Sequence, residues 1–166
     1  MTTRDKISQA YLLLSGDATK MIVKKATTRI DDPPKKKHLL TLSQHCLNPR
    51  ADLCHVFDCL STRERKPDWR IASKALITMH HLLKTGNQRL WNTVASRPTI
   101  FDLCGYVDNS SHIAITMSPY VMNYAEYLAI KCESFRNFGK DITKNEYQKI
   151  PFHLTQIQEV NSHQLI

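Results

Sequence analysis

Basic side chains are concentrated between residues 24 and 38. The segment starts with Lys24 and Lys25 and ends with Lys35–His38, and the two groups are separated by Ala-Thr-Thr-Arg-Ile-Asp-Asp-Pro-Pro. Ammonium and imidazolium groups form charge-assisted hydrogen bonds with oxyanions, so the chemistry available here is the binding of a phosphorylated ligand. Because a diproline lies just before the second group, the spacing indicates a site built from two helix ends.

The helices predicted around this segment place the two basic groups at opposite kinds of helix end. Asp17 is predicted to cap a helix that leaves Lys24 and Lys25 near its C-terminal end, where the helix dipole favours cations. Proline cannot continue a helix but suits its first turn, so Pro33-Pro34 is expected to end that helix and open the next with Lys35–His38. The exposed first-turn N–H groups of that next helix favour an anion.

The rest of the chain reads as nearly all helix, because glycine and proline are few and apolar residues recur at helical spacing. The predicted fold is all-α, an α-solenoid of stacked antiparallel helices, with the longest and most apolar helix, about 68–85, at its core. Further helices are expected at about 4–14, around the stripe Leu53, Val56, Phe57 and Leu60, around Leu90, Trp91 and Val94, at 100–106, from Ser118-Pro119 to Gly139, and in part after Pro151. A polar loop is expected at 61–66.

Length and charge define the class of protein and of partner. The 166 residues and 19.2 kDa fit one domain, 1–166, and the apolar ending Leu165-Ile166 leads us to expect that this domain is incomplete at its C-terminal end. A net charge of +8 calls for a polyanionic partner, which charge alone leaves open between nucleic acid, anionic lipid and an acidic protein. The N-terminus has no signal-peptide core, so residence in the cytosol is expected.

Catalytic and metal-binding patterns are missing from the sequence. Its five cysteines are an odd number without a C-x-x-C pair, and no spacing of histidine and cysteine matches a zinc site. No H-E-x-x-H, G-x-S-x-G or P-loop sequence occurs. The adjacent pair His80-His81 points to different sides of a helix, so one is expected to be packed and the other exposed. We therefore expect no metal, no cofactor and no enzymatic activity.

Four stretches, in this order, resemble the ANTH domain family of clathrin adaptors over roughly residues 5–143. They are Lys25-Ala26-Thr27 with Pro34-Lys35-Lys36-Lys37-His38, Trp69 with Lys74-Ala75-Leu76-Ile77, His80-His81-Leu82 with Gly86-Asn87-Gln88-Arg89, and Ala95-Ser96-Arg97-Pro98-Thr99-Ile100-Phe101. The first is the family's phosphoinositide-binding pattern and stands complete. The resemblance implies a right-handed superhelix of α helices.

The resemblance also implies a function, a site and a location. The function is binding of phosphatidylinositol 4,5-bisphosphate in the cytosolic leaflet during clathrin-coated vesicle formation and endocytosis, with the protein peripheral on the plasma membrane and on coated pits or vesicles. Clathrin and the clathrin adaptor complex would bind through a tail that this chain lacks. The implied headgroup contacts are Lys25, Lys35, Lys37 and His38. Lys36 occupies the variable position and Lys24 and Arg29 lie outside the pattern, so these three are expected to support general attraction to the leaflet.

Other interpretations of the basic segment are a solvated interhelix loop and a basic nucleic-acid-binding or protein-interaction module. Nucleic acid is not expected, because no aromatic residues are interleaved for base stacking and the cluster lies at a helix junction. Tyr120, Tyr124 and Tyr127 recur at helical spacing, and half-buried packing is favoured over a peptide groove. For His38, a neighbouring phosphate should favour the imidazolium, so lipid binding should tighten as the pH falls from 7.5 to 6.

Overall fold

The computed structural model describes residues 17–85 and 88–140. Within these ranges the chain forms six α helices and no strand, so the all-α prediction is confirmed there. The helices are α1 Ala18–Ala26, α2 Lys36–Leu47, α3 Leu53–Glu64, α4 Trp69–Thr85, α5 Gln88–Ala95 and α6 His112–Phe138. The predictions for residues 4–14 and for the segment after Pro151 lie outside the described residues.

Helix α4 lies at the centre of the packing, as predicted. The expectation that it is the longest helix is wrong, because α6 has 27 residues and α4 has 17. Helix α4 contacts each of the other five helices. Six of its apolar side chains are completely buried: Ala72, Ala75, Leu76, Met79, Leu82 and Leu83. Because full burial of one large apolar side chain stabilises a fold by about 1.5–3 kcal/mol, this helix supplies a large part of the hydrophobic stabilisation. The two helices that flank the basic segment, α1 and α2, therefore pack against the central helix of the core.

Helix α3 confirms the predicted apolar stripe but extends beyond it. Leu53, Val56, Phe57 and Leu60 are all buried. The polar loop predicted at 61–66 is wrong, because the helix continues to Glu64 and buries both Ser61 and Glu64. Ser61 Oγ donates a hydrogen bond to Glu64 Oε1 over 3.0 Å. The two polar side chains partner each other, which allows polar residues to face the interior.

Helix α6 begins earlier than predicted. The expected start at Ser118-Pro119 is wrong, because Ser111 is the N-cap and its Oγ accepts a hydrogen bond from the Ala114 amide over 3.1 Å. Ser118 is buried inside the helix, donates to the Ala114 carbonyl and accepts from the Asp108 amide, both over 2.9 Å. Pro119 follows Ser118 inside the helix and has no amide hydrogen to donate to the preceding turn. The predicted end at Gly139 is confirmed.

The short helix predicted at 100–106 is also wrong. This segment forms turns instead, including a hydrogen bond from the Tyr106 amide to the Leu103 carbonyl over 3.0 Å. Gly105 adopts φ +74°, a left-handed conformation that interrupts a helix. The apolar side chains at 100, 101, 103 and 106 still enter the core. Their spacing resembled a helix stripe, but tertiary contacts rather than helix periodicity bury them.

The buried carboxyl group of Glu64 gives a stability prediction. Burial raises its pKa from 4.5 to about 8, and its Oε2 atom has no hydrogen-bond partner among the described residues. Between these two pH values the folded state holds a proton that the unfolded state lacks. The contribution of this group is therefore present below pH 4.5 and is lost as the pH rises to about 8. A shift of this size corresponds to on the order of 4 kcal/mol.

We expect Glu64→Gln to stabilise the protein at pH 8 relative to wild type by a few kcal/mol, on the order of the figure above, and to change stability little at pH 5. Urea unfolding at the two pH values measures both free energies. Glu126→Gln, at an exposed position of α6, is the matched control and should leave the pH dependence of unfolding as in wild type. An equal pH dependence in wild type and Glu64→Gln would show that Glu64 titrates normally in the folded protein.

Candidate anion-binding site

The first half of the site is the C-terminal end of α1. Asp17 caps this helix as predicted, because its carboxylate accepts a hydrogen bond from the Lys20 amide over 2.9 Å. The helix ends at Ala26, and Lys24 and Lys25 lie in its last turn. Both side chains are half-buried. The prediction that Pro33-Pro34 ends this helix is wrong, because the helix stops seven residues before Pro33, at a C-cap formed by Thr27. The unsatisfied carbonyl end of the helix is a favourable place for these two cations, which agrees with the sequence-based prediction.

The second half is the N-terminal end of α2, and its details differ from expectation. The helix begins at Lys36 with Lys35 as N-cap, so Pro33 and Pro34 precede the cap rather than occupy the first turn. Pro34 is buried and Pro33 is exposed. A lysine N-cap has no acceptor atom, and the first amides of a helix lack intrahelical partners, so the Lys36 and Lys37 amides are suited to bind an anion.

The structure brings the four predicted contact residues into one electrostatic neighbourhood. The pKa of His38 lies below its usual value of 6.5, first because the imidazole is half-buried and then because the charges of Lys37, Lys25 and Lys35 act on it. Positive charges from both helix ends therefore converge on one histidine. Lys35 and Lys37 are exposed, so their ammonium groups are accessible to a ligand.

The three residues expected to give supporting attraction differ in their surroundings. Lys36 is exposed on the first turn of α2, and Lys24 is half-buried in the last turn of α1. Arg29 lies in the linker between the helices and pairs with Asp68, with 3.2 Å between Nε and Oδ2. The Asp68 carboxylate compensates much of the Arg29 charge, so the contribution of Arg29 to the positive field is smaller than the sequence suggested.

Sequence reasoning missed the residues that hold the linker between α1 and α2. Arg63 from α3 hydrogen-bonds to Thr27, and Lys74 from α4 hydrogen-bonds to Thr28 and Ile30. Lys74 drew attention only as part of a stretch resembling the family. The signal that could have identified it was a lysine in the middle of a strongly apolar helix that was predicted to form the core.

A second group of reactive side chains lies near the start of α1 and does not form a nucleophilic site. His55 Nε2 is 3.2 Å from Asp17 Oδ2 and 3.7 Å from Cys59 Sγ. Burial raises the pKa of the Cys59 thiol to about 11, so the thiol stays protonated at neutral pH. No cluster of three or more potential metal ligands occurs within residues 17–85 and 88–140.

The histidine and tyrosine predictions have mixed outcomes. His80 and His81 are both half-buried, so the expectation of one packed and one exposed histidine is wrong. His80 Nδ1 lies 2.7 Å from the Tyr124 hydroxyl, which holds the ring at the α4–α6 contact. Half-buried packing is confirmed for Tyr124, whereas Tyr120 and Tyr127 are exposed. None of the helices in the described part of the chain has the length and apolarity to cross a bilayer.

A family model described as the ANTH domain matches residues 18–165, which is most of the chain. The chain belongs to the ANTH domain family. It is 35% identical over 143 residues to the human clathrin coat assembly protein AP180, a match that covers 86% of this chain and 16% of that protein. It is 36% identical over 140 residues to the rat phosphatidylinositol-binding clathrin assembly protein, with coverage of 84% and 22%. The chain thus spans about a fifth of the length of these curated relatives.

A solved structure shows the same fold. The endocytic adaptor complex AENTH aligns with a TM-score of 0.68 and 19% sequence identity, over 84% of this chain and 97% of that chain. At this level of identity the likeness concerns the arrangement of helices alone. Together with the ANTH match it confirms the predicted helical solenoid.

The convergence of charges on His38 is itself testable. We expect Lys25→Gln to raise the pKa of His38 toward its usual value, because the substitution removes one of the three lysine charges that lower it. A pH titration followed by NMR of the imidazole resonances measures this shift. Lys20→Gln removes the same charge from the first turn of α1 and is the matched control. Equal shifts in the two variants would show that Lys25 does not lie near His38.

Proposed function

We propose that residues 1–166 form an ANTH module that binds the phosphatidylinositol 4,5-bisphosphate headgroup on the cytosolic face of the plasma membrane. The observation that supports this proposal is that Lys25 at a helix end and Lys35 and Lys37 at a helix start all act electrostatically on His38. Two phosphates of one inositol ring would then be reached from both sides of the junction.

Electrostatics supports a phosphate ligand at this place. The pKa of His38 is lowered first by burial and then by the charges of the neighbouring lysines, so the basic groups repel one another in the ligand-free state. A phosphate relieves this repulsion and accepts hydrogen bonds from the first-turn amides of α2. Each lysine near an anionic leaflet contributes about 1 kcal/mol, so the three lysines together with His38 give reversible, salt-sensitive binding.

The proposed cellular role is that of an adaptor, not an enzyme, in clathrin-coated vesicle formation and endocytosis. Support comes from relatives whose names are clathrin coat assembly protein and phosphatidylinositol-binding clathrin assembly protein. Because this chain spans only about a fifth of those proteins, we propose that clathrin and adaptor contacts belong to segments outside these 166 residues. The module itself would bring such segments to coated pits and vesicles.

Sedimentation with vesicles tests the lipid proposal. We expect wild type to bind vesicles containing phosphatidylinositol 4,5-bisphosphate better than vesicles of equal charge made with phosphatidylserine. Lys35→Glu with Lys37→Glu should abolish that preference, because two contacts of about 1 kcal/mol each are lost and two repulsive charges are added, which amounts to at least roughly 30-fold in affinity.

The matched control is Arg136→Glu with Lys140→Glu, an equal charge reversal at the exposed C-terminal end of α6. It should retain the preference for the phosphoinositide, and both double variants should keep the helical circular dichroism spectrum. Duplex DNA at the same salt concentration is the competitor. Stronger competition by DNA than by the lipid headgroup, or full binding by the Lys35 and Lys37 variant, would contradict the proposal in favour of general polyanion binding.

The pH dependence of binding gives an independent prediction. The pKa of His38 is lowered in the ligand-free protein, and an adjacent phosphate should raise it, so binding takes up a proton. Binding should therefore tighten as the pH falls from 7.5 to 6. The lipid phosphates also titrate near pH 6, so the wild-type curve is compared with that of His38→Gln, which retains only the lipid contribution. Parallel curves for the two proteins would exclude His38 as the linked group.

A further inference from the structure

The linker between α1 and α2 is held by cationic side chains from two other helices. From α3, Arg63 Nε donates to Thr27 Oγ1 over 2.8 Å, and the same guanidinium donates to the Thr27 carbonyl through Nη2. From α4, Lys74 Nζ donates to the Thr28 carbonyl over 3.0 Å and also to the Ile30 carbonyl. Three backbone carbonyls in the first half of the linker are therefore tied to the central helix layer.

The burial of Lys74 makes this arrangement specific. Its side chain is 6% exposed, and burial lowers its pKa, while the carboxylates of Asp32, Asp31 and Asp68 act in the opposite direction. Removing an ammonium group from water is unfavourable unless its protons are hydrogen-bonded. The linker carbonyls provide these partners, and Lys74 in turn satisfies carbonyl groups that have no helix or sheet to satisfy them.

The linker matters because it joins the two halves of the anion-binding site. Lys25 lies just before it and Lys35–His38 lie just after it, so the linker path determines how far apart these cations stand. The like charges on the two sides repel each other and would separate the helix ends if the linker were loose. The hydrogen bonds of Arg63 and Lys74 oppose this separation.

We propose that Lys74 and Arg63 are positioning residues for the anion-binding site, an inference that rests on the proposed function. They hold the linker so that Lys25 and the start of α2 stand at the separation that one polyphosphorylated headgroup requires. Neither side chain needs to touch the ligand. Their effect is on the geometry of the site and not on the general attraction of the protein to an anionic surface.

Four substitutions test the proposal. Lys74→Met removes the charge and the donors while keeping a long side chain, and Lys74→Arg keeps both. Arg63→Met releases Thr27. Arg97→Met is the matched control, because Arg97 also donates to a backbone carbonyl of α3, that of Cys54 over 3.4 Å, and to Asp58 over 2.6 Å. Cys54 lies nine residues before Arg63 on α3, about 13 Å along the helix axis.

Three measurements distinguish an effect on the geometry of the site from an effect on the general attraction of the protein to anions. They are calorimetric binding of soluble inositol trisphosphate, sedimentation with phosphatidylserine vesicles at low salt, and NMR titration of the His38 imidazole without ligand. We expect Lys74→Met and Arg63→Met to bind inositol trisphosphate roughly fivefold more weakly, the equivalent of losing one cationic contact. Phosphatidylserine binding should stay close to wild type. The pKa of His38 should rise toward its usual value as Lys25 moves away.

Lys74→Arg and Arg97→Met should behave as wild type in all three measurements, which distinguishes positioning from a general loss of stability. The inference is overturned if Lys74→Met and Arg63→Met are folded by circular dichroism and leave both the headgroup affinity and the pKa of His38 unchanged. It is also overturned if wild type binds the headgroup and these variants bind it equally well. Should Lys74→Met fail to fold, Arg63→Met decides, because Arg63 is only half-buried.

The titration of His38 keeps this inference distinguishable from the proposed function. If wild type does not prefer the phosphoinositide, the lipid proposal fails. The positioning role of Lys74 and Arg63 is then tested by the pKa of His38 alone, because that measurement requires no lipid. A rise of that pKa in Arg63→Met but not in Arg97→Met would support the structural role of Arg63 in holding the linker even in that case.

Discussion

Basic groups at the junction of α1 and α2 repel one another, and the core behind them opposes this repulsion. The arrangement of the domain depends on that opposition. Lys25 and Lys37 are separated by only twelve positions in sequence, yet they belong to different helices. Partly buried hydrogen bonds from α3 and α4 hold the intervening backbone. Without such restraint, like charges at two helix ends would move apart and gain hydration. The hydrophobic packing around α4 therefore supports an electrostatically unfavourable surface feature.

The electrostatic repulsion among these basic groups is the physical basis of binding. A cluster of cations that is strained in the absence of ligand is complementary to a compact polyanion, because the same charges become favourable once phosphates lie between them. The pKa of the half-buried His38 imidazole depends on both states, because neighbouring lysines oppose its protonation without ligand and a phosphate would favour it. Preorganisation of the junction reduces the entropy that would otherwise be lost on ordering two helix ends around a headgroup.

Much of the fold was predictable because local patterns and tertiary burial agree in most helices. The stripe of α3 and the apolar face of α4 are regular enough for periodicity to identify them. The failures have two causes. Ser61, Glu64 and Ser118 are polar residues that find partners inside the protein, and pattern reasoning assigns such residues to loops and helix caps. At 100–106 an apolar pattern is buried without helix formation.

The candidate site divides in the same way. The sequence by itself determined which residues carry positive charge, that a helix can begin soon after the diproline, and that both basic groups lie near helix ends, since these properties depend on near neighbours in the chain. It did not determine the end of α1, which comes seven residues before Pro33. Only the tertiary structure decided that Arg63 and Lys74 hold the linker and that Asp68 compensates Arg29. The hydrogen bonds of Arg63 and Lys74 join residues that lie 36 to 46 positions apart in the sequence. Local periodicity cannot predict such pairings, because they arise from the packing of helices and from the need of a buried cation for hydrogen-bond partners.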